Sequence, residues 1–426
     1  ATVTNAQSIT GAFATAFARG PVGEITTISS QNELLEIFGK PVSANAEDWF
    51  VASEFLNYGG RLAVVRAETG TNSANTGSNA SLNVRNSADW EGGLGSGEKY
   101  VARTPGTWGD SLRVIVADRG ADQIITLDAA PNATPTAGGS VTFNLDGGGT
   151  ATAEVVSYAN QVLTVVLDDP TRLLTTNDHL DDGSDPDVDI ASAVDWWSNT
   201  TVGGVALSAI GPRPGTSAYA AAHGIKYDEL HLAVVDTTGA ISGTAGTVIE
   251  RMTYLSKLSD GRGAQNEAIY YKTAVNEGSS YIYTGTTLTG AIAPSSTNAG
   301  DAWGVDSTTA GLDMFTLAGA ASDDLDNGAD DYAYTTGEID SAYEVFIETE
   351  EAEIDFVLMG GSMTSEDDTK LKAGHVMAVA QNRKDCIAFL SPHKGNQIGS
   401  SGALTRSVQK TNTINFFNTL ASTSYA

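Results

Sequence analysis

The apolar runs of this chain change period along its length. Near the start GAFATAF reads as a strand, and ITTISS follows the turn ARGPVGE. Ser30 and Glu33 stand three apart, the spacing at which hydroxyl and carboxylate each take a free N–H of a helix's first turn. Leu34, Leu35 and Phe38 lie behind them with Gly39 as the stop, which predicts a helix. A second helix is predicted over about 46–57, where Trp49, Phe50, Ser53 and Leu56 recur at helical spacing and Gly59-Gly60 end the pattern. Leu62 to Ala67, LAVVRA, is almost continuously apolar, as in a strand buried on both faces.

The texture then shifts. Residues 69–98 are rich in Asn, Ser and Gly and read as a linker or long loop. In ARTPGTWGDSLRVIV, Pro105-Gly106 marks a turn, Trp108 is expected to be buried, and Leu112, Val114 and Val116 alternate as a half-buried strand does. SVTFNLDGGGTATAEVV and NQVLTVVLDD alternate around an Asp146-Gly147 turn. ELHLAVVDTTGAISGTAGTVIERM predicts a hairpin and SSYIYT a further strand. After Asn327 the helical period returns. Thr335 and Glu338 form a second capping pair, and Ile339, Ala342 and Phe346 mark one helix face. IDFVLMGG, a helix over about 366–381, DCIAFLSP and a last helix near 404–420 complete the chain.

This β-α-β-α order suits a parallel sheet covered by helices. The expected fold class is α/β plus β-rich. Residues 1–68 and 335–426 form a split α/β core domain with a parallel-type sheet. Residues 69–118 and 200–334 form a β-rich middle domain, and 119–199 an inserted peripheral all-β module. Trp49, Phe50, Phe38 and Phe356 are expected in the α/β core.

Composition narrows the function classes. With 426 residues the chain is too long for one ordinary core. Its 52 acids against 23 bases give a net charge of −29, which argues against nucleic-acid binding. One cysteine, Cys386, excludes an internal disulfide framework, and its apolar strand context predicts a buried, inert thiol. No apolar run approaches a membrane span. The acidic stretch DHLDDGSDPDVD does not match the spacing of a calcium loop and reads as solvated, as does SDDLDNGADD. His179, His223, His231, His375 and His393 have no metal-ligand spacing, GGLGSG has its glycines at the wrong offsets for a dinucleotide fingerprint, and no residue set supplies nucleophile, base and orienter together. No catalytic, cofactor or metal site is therefore expected. Against the acidic background, Lys370, Lys372, Arg383, Lys384, Lys394, Arg406 and Lys410 stand out, with Asp385 the only acid after Asp368. They are the candidate residues for contact with an acidic partner surface.

Several blocks, GAFATAFARGPVGEITTISSQNELLEIFGKP, FLNYGGRLAVVRA, ARTPGTWGDSLRV, RPGTSAYAAAHGIKYDELHLAVVD and RKDCIAFLSP, together and in this order resemble the tail-sheath proteins of contractile-tailed bacteriophages, especially T-even-like phages including those of cyanobacteria. The blocks leave 119–199 uncovered. The resemblance implies structural roles for Gly20, Pro21, Gly39, Pro105, Gly106, Trp108, Gly109 and Pro392. It implies no cofactor and no enzyme activity. It also implies a subunit of stacked hexameric rings around a tail tube, with baseplate and tail-terminator partners, located in the virion and assembled in the host cytoplasm. Measured against that family, the arm before the first strand and a C-terminal domain after Ala426 would be missing. The alternatives are the sheath of a related contractile secretion or injection system and, in another class, an acidic β-rich surface adhesin.

Overall fold

The computed structural model describes residues 9–58, 60–286, 288, 303–348, 352–399 and 402–426. The expected helix stop at Gly59 lies outside them. The strands used below are β1 (Thr10–Thr15), β2 (Ile25–Ile28), β3 (Arg61–Arg66), β4 (Leu112–Asp118), β5 (Gln123–Leu127), β6 (Ser140–Asn144), β7 (Thr150–Ala159), β8 (Val162–Leu167), β9 (His179–Asp181), β10 (Val188–Asp195), β11 (Glu229–Asp236), β12 (Thr247–Ser256), β13 (Ala320–Asp324), β14 (Phe356–Leu358) and β15 (Ile387–Phe389). The helices are α1 (Gln31–Phe38), α2 (Ala46–Asn57), α3 (Tyr271–Gly278), α4 (Thr336–Glu344), α5 (Glu366–Arg383) and α6 (Arg406–Asn418), besides shorter turns of helix. The chain divides into two compact units, one of residues 1–110 and 325–426 and one of residues 111–324.

The first unit is built on a sheet of order β15-β14-β1-β3-β2. All pairs are parallel except β2 with β3, which is antiparallel at the edge. Alternate residues of β1 feed two cores. Phe13 points to Leu34, Phe38, Trp49 and Leu56 of α1 and α2. Ala12 and Ala14 point to Ile339, Tyr343, Val376 and Ala380 of α4 and α5. Small residues on that second face leave room for two helices. The caps are those the spacing predicts: the Ser30 side chain accepts from the Glu33 N–H, and Thr335 and Glu338 form a reciprocal box. Three core expectations need correction. Trp49 is buried and its Nε1–H donates to the Gly39 carbonyl at 3.0 Å, but the adjacent Phe50 is 53% exposed. Phe356 is only half-buried, and Trp108 is likewise intermediate.

Of linker and long loop, residues 69–98 are the loop, and it is packed rather than free. Ser73, Ala74 and Asn75 have no exposed surface. Asn75 exchanges backbone hydrogen bonds with Asp326, and its side-chain amide donates to the Ser73 and Asn79 carbonyls. Asn and Ser here satisfy buried backbone that has no regular partner.

The second unit carries an antiparallel sheet of order β12-β11-β4-β13 and a closed barrel of order β9-β10-β5-β8-β7-β6. The barrel has its own core, including Ile125, Phe143, Leu163, Val165 and Ile190. At the end of the sheet, Lys257, just after β12, and Asp118 are both fully buried and 2.9 Å apart. Asp118 also accepts the Gly120, Ala318 and Gly319 N–H groups, and the ammonium lies over the Trp303 and Phe315 rings. His231 on β11 has no exposed surface. Its Nε2 contacts the Pro212 carbonyl at 2.7 Å and its Nδ1 accepts the Tyr254 N–H at 3.1 Å, between the Trp197 and Tyr254 rings. These partners need the neutral ring with its proton on Nε2, and burial holds its pKa below the usual 6.5.

Trp49→Ala should lower stability by about 3–5 kcal/mol, while Phe50→Ala should change it by less than about 1 kcal/mol; denaturant unfolding of the two variants checks this. His231 contributes stability that is present above pH 6.5, its ordinary value, and is lost as pH falls through 6.5 toward the depressed folded value, because the unfolded ring takes up the proton first. His231→Gln keeps one donor and one acceptor, so the difference in melting temperature between wild type and variant should shift against wild type on acidification. Parallel pH profiles would show that the ring titrates alike in both states.

Candidate functional site

Two polar clusters hold the first unit together. The first surrounds Arg66, at the end of β3. Its side chain is buried, and Nη1 donates to the Gly20 carbonyl at 2.9 Å and to the Pro105 carbonyl at 2.8 Å. Burial lowers its pKa to about 10, with Asp330 and Tyr332 acting in the opposite sense. One guanidinium thus joins two of the turns that carry the motif glycines. Gly20 has φ +98, and a Cβ there would stand 2.7 Å from the Phe38 ring; Gly106 has φ +136, and a Cβ would stand 2.4 Å from the Ala18 carbonyl oxygen. A Cβ on Gly109 would meet Ala74 at 2.6 Å. Pro21 is half-buried beside these turns, Gly39 ends α1 at φ +82, and Pro392 is half-buried after β15. The outgoing segment is tied to the returning one: Thr107 donates through its N–H and hydroxyl to Asp330, and the Gly328 N–H donates to Asp110 at 2.7 Å. Burial pushes the Asp110 carboxyl up, and Asp326 and Asp330 add to that.

The second cluster lies at the carboxyl ends of β1 and β14, whose onward connections run to opposite sides of the sheet, the switch-point position of an open α/β sheet. Asp48, from α2, is buried there. It accepts the Thr15 hydroxyl at 2.6 Å, the Tyr334 hydroxyl at 3.1 Å and the Gly361 N–H at 2.5 Å. Lys372, with no exposed surface, donates to the Tyr334 hydroxyl at 2.9 Å and to the Gly361 carbonyl at 3.0 Å. Burial lowers the Lys372 pKa, against the pull of Asp48, and raises that of Tyr334, which Asp48 raises further. The adjoining crevice, about 350 Å³, is lined by Glu47, Asn45, Ser362 and Lys394 among others. Its buried groups bind one another and fix the loops after β1 and β14. Among the described residues no group of three His, Cys, Asp or Glu side chains is placed to hold a metal ion, and no helix is long and apolar enough to cross a membrane.

The basic candidates do not form one surface. Lys372 is inside the cluster just described. The Arg383 side chain has no exposed surface; it pairs with Asp385 at 3.0 Å and donates to the Phe346, Glu348 and Ala352 carbonyls. Both charges are buried within this chain, where carbonyls of distant segments take them up. Lys370 pairs within its helix with Glu366 at 2.8 Å, and Lys394 pairs with Glu47 at 3.1 Å. Lys384, Arg406 and Lys410 are exposed. Cys386 is buried, and burial, with Asp385 nearby, raises its thiol pKa to about 11.

No family model matches the chain. A curated protein does: the tail sheath protein of Salmonella phage ViI is 24% identical over 402 residues, covering 89% of this chain and 56% of that protein. This chain is related to a phage tail-sheath protein. Solved structures of sheath tail proteins from Listeria innocua and Desulfitobacterium hafniense are similar at 10% identity, with TM-scores of 0.38 and 0.35; the matches cover 98% and 96% of this chain and 58% and 57% of theirs. The chain thus spans little more than half the length of the curated relative it matches.

Sequence pattern alone does not single out Arg66 and Asp48. Arg66 carried a signal, since a charge inside the apolar run LAVVRA must find buried partners. Asp48 carried none, because its donors come from Thr15, Tyr334 and Gly361. Arg383→Glu should cost about 3–5 kcal/mol, by placing a carboxylate among carbonyls, whereas Lys384→Glu should change stability by less than about 0.5 kcal/mol. Thermal unfolding of the two single variants separates a buried tie from a surface charge.

Proposed function

We propose that the chain is a structural subunit of a contractile phage tail sheath. Copies assemble as stacked hexameric rings around a tail tube, with baseplate and tail-terminator proteins as further partners, and contraction drives the tube into the host envelope. The place of work is the virion, after assembly in the host cytoplasm. The observation that carries this reading is the 24% identity to a tail sheath protein across 89% of the chain.

The physics of such a role fits this chain's construction. A sheath subunit must keep its shape while its contacts change. In the first unit, buried polar ties rather than long helices fix the loops, with Arg66 and Arg383 each bonding carbonyls of distant segments. On this reading the energy of contraction resides in subunit contacts made at assembly. A preference of a few kcal/mol per subunit for the contracted packing suffices, because many subunits move together.

Negative-stain microscopy of the full-length protein should show tubes with ring or helical striations. Particles that stay dispersed at every concentration and salt condition would remove the sheath reading.

A further inference from the structure

Lys257 and Asp118 are placed for chemistry as well as for charge pairing. Asp118 ends β4 and Lys257 directly follows β12, so β11 lies between them in the sheet. Leu230 of β11 pairs with Asp118 on one side and with Leu255 on the other. The lysine side chain therefore crosses a strand to reach the carboxylate. Its Nζ donates to Asp118 Oδ2 at 2.9 Å and to the Tyr227 carbonyl at 3.1 Å. Neither side chain has any exposed surface. The Trp303 and Phe315 ring centroids lie 4.9 and 5.6 Å from Nζ, and both rings are buried.

The two carboxylate oxygens are held differently. Oδ1 accepts two backbone N–H groups, those of Gly120 and Gly319, each at 2.8 Å. Oδ2 accepts the Ala318 N–H at 2.7 Å and the lysine ammonium. An oxygen between two fixed N–H donors at this distance is set to carry negative charge. The other oxygen lies against the group that can protonate it. An amine, a carboxyl carbon, a cradle for the oxyanion and a protonated leaving oxygen thus meet at one dry point.

Burying two charges is costly. Transfer of one proton from Nζ to Oδ2 removes both and leaves an amine and a carboxylic acid. Cγ is one bond beyond Oδ2, so the amine starts beside the carbon it attacks. Attack forms the Nζ–Cγ bond and moves an electron pair onto Oδ1, between the Gly120 and Gly319 N–H groups. A second proton passes from the nitrogen to Oδ2, the Cγ–Oδ2 bond breaks with its electron pair, and water departs. The sum is one ammonium and one carboxylate giving one amide and one water. No oxidant or cofactor enters, and exclusion of bulk water opposes the return hydrolysis.

We propose that Lys257 and Asp118 condense into an intramolecular isopeptide bond that ties the ends of β4 and β12 covalently across β11. The bond forms in the folded second unit whether or not copies assemble. Like a disulfide, it constrains the unfolded chain, here over the whole segment from 118 to 257.

Tryptic digestion of the denatured full-length protein, read by mass spectrometry, tests it. Without the bond, trypsin releases VIVADR, residues 114–119, and MTYLSK, residues 252–257. With it, cleavage after Lys257 is blocked. VIVADR then appears joined to MTYLSKLSDGR, residues 252–262, lighter than the two together by one water. Fragment ions should place the link between Asp118 and Lys257, which separates it from dehydration of the aspartate alone. Asp118→Asn should give the same branched peptide by loss of ammonia, and Asp118→Ala only separate peptides. Wild type that yields VIVADR and MTYLSK separately, with an intact mass equal to that of the unmodified chain, would overturn the proposal and leave a buried ion pair. Wild type alone decides between these outcomes, so a variant that fails to fold does not obscure the answer.

Discussion

Strand β1 has both of its hydrogen-bonding edges filled by strands from opposite ends of the chain. Thr10 to Thr15 pair in parallel with Arg61 to Arg66 on one side, and Gly11 to Phe13 pair with Phe356 to Leu358 on the other. Everything between residues 67 and 355 is therefore a closed excursion from one sheet. Loop-closure entropy rises only with the logarithm of length, so a large insertion adds little to the cost of that closure. What the excursion does need is a defined exit and return. The Thr107–Asp330, Asp110–Gly328 and Asn75–Asp326 bonds supply it, fastening the outgoing and returning segments to each other inside the first unit. Gly11 belongs to the same constraint: a Cβ there would lie 2.8 Å from the Phe55 ring, so the central strand admits α2 only because that position is bare.

The acidic composition has an internal use as well as a surface one. Asp236 is fully buried and accepts the Gly239, Ile241 and Ser242 N–H groups, closing the loop between β11 and β12. Burial pushes its carboxyl up, and the Ser242 donors, with those of Ile241 and Gly239, more than reverse it. Asp228, also buried, takes the Ser217 N–H and the Ser217 and Ser256 hydroxyls. A short carboxylate facing several N–H groups does for a loop what a cap does for a helix. Acid richness alone reads as solubility; the geometry shows that part of it is architecture.

What was legible in the sequence was local. Capping at Ser30 and Thr335, the Gly39 stop and the apolar run of β3 are decided within a few residues, and the structure has them where spacing puts them. The alternating strands between Gln123 and Asp195 were legible as strands, but their closure into a barrel depends on pairings such as β5 with β10 that no local pattern encodes. Trp49 and Phe50 were indistinguishable by pattern, since adjacent apolar residues leave the helix phase ambiguous by a hundred degrees. Lys372 and Arg383 were read as surface charge because their type is usually exposed. Their burial is decided by Tyr334, Gly361, Phe346 and Ala352, which only the fold brings near. The five-block resemblance points the same way as the 402-residue similarity to a tail sheath protein.

The sheet edges say how such a unit can meet its neighbours. An unpaired strand edge is a template for uncontrolled addition, and proteins blunt it with charge, short strands or a cover. The barrel has no free edge because it is closed. In the second unit's sheet, β13 ends in Ser322, Asp323 and Asp324, and β12 carries Glu250 and Arg251. In the first unit β2 is four residues long, and the outward N–H of β15 is occupied by Tyr425. With these edges blunted, strand addition at them is disfavoured. Side-chain contacts between charged faces are individually weak, screened by salt and open to rearrangement. On the proposed sheath reading, a repeating assembly of such contacts would hold its register and still exchange one packing for another, which a continuous intermolecular sheet through the same edges would resist.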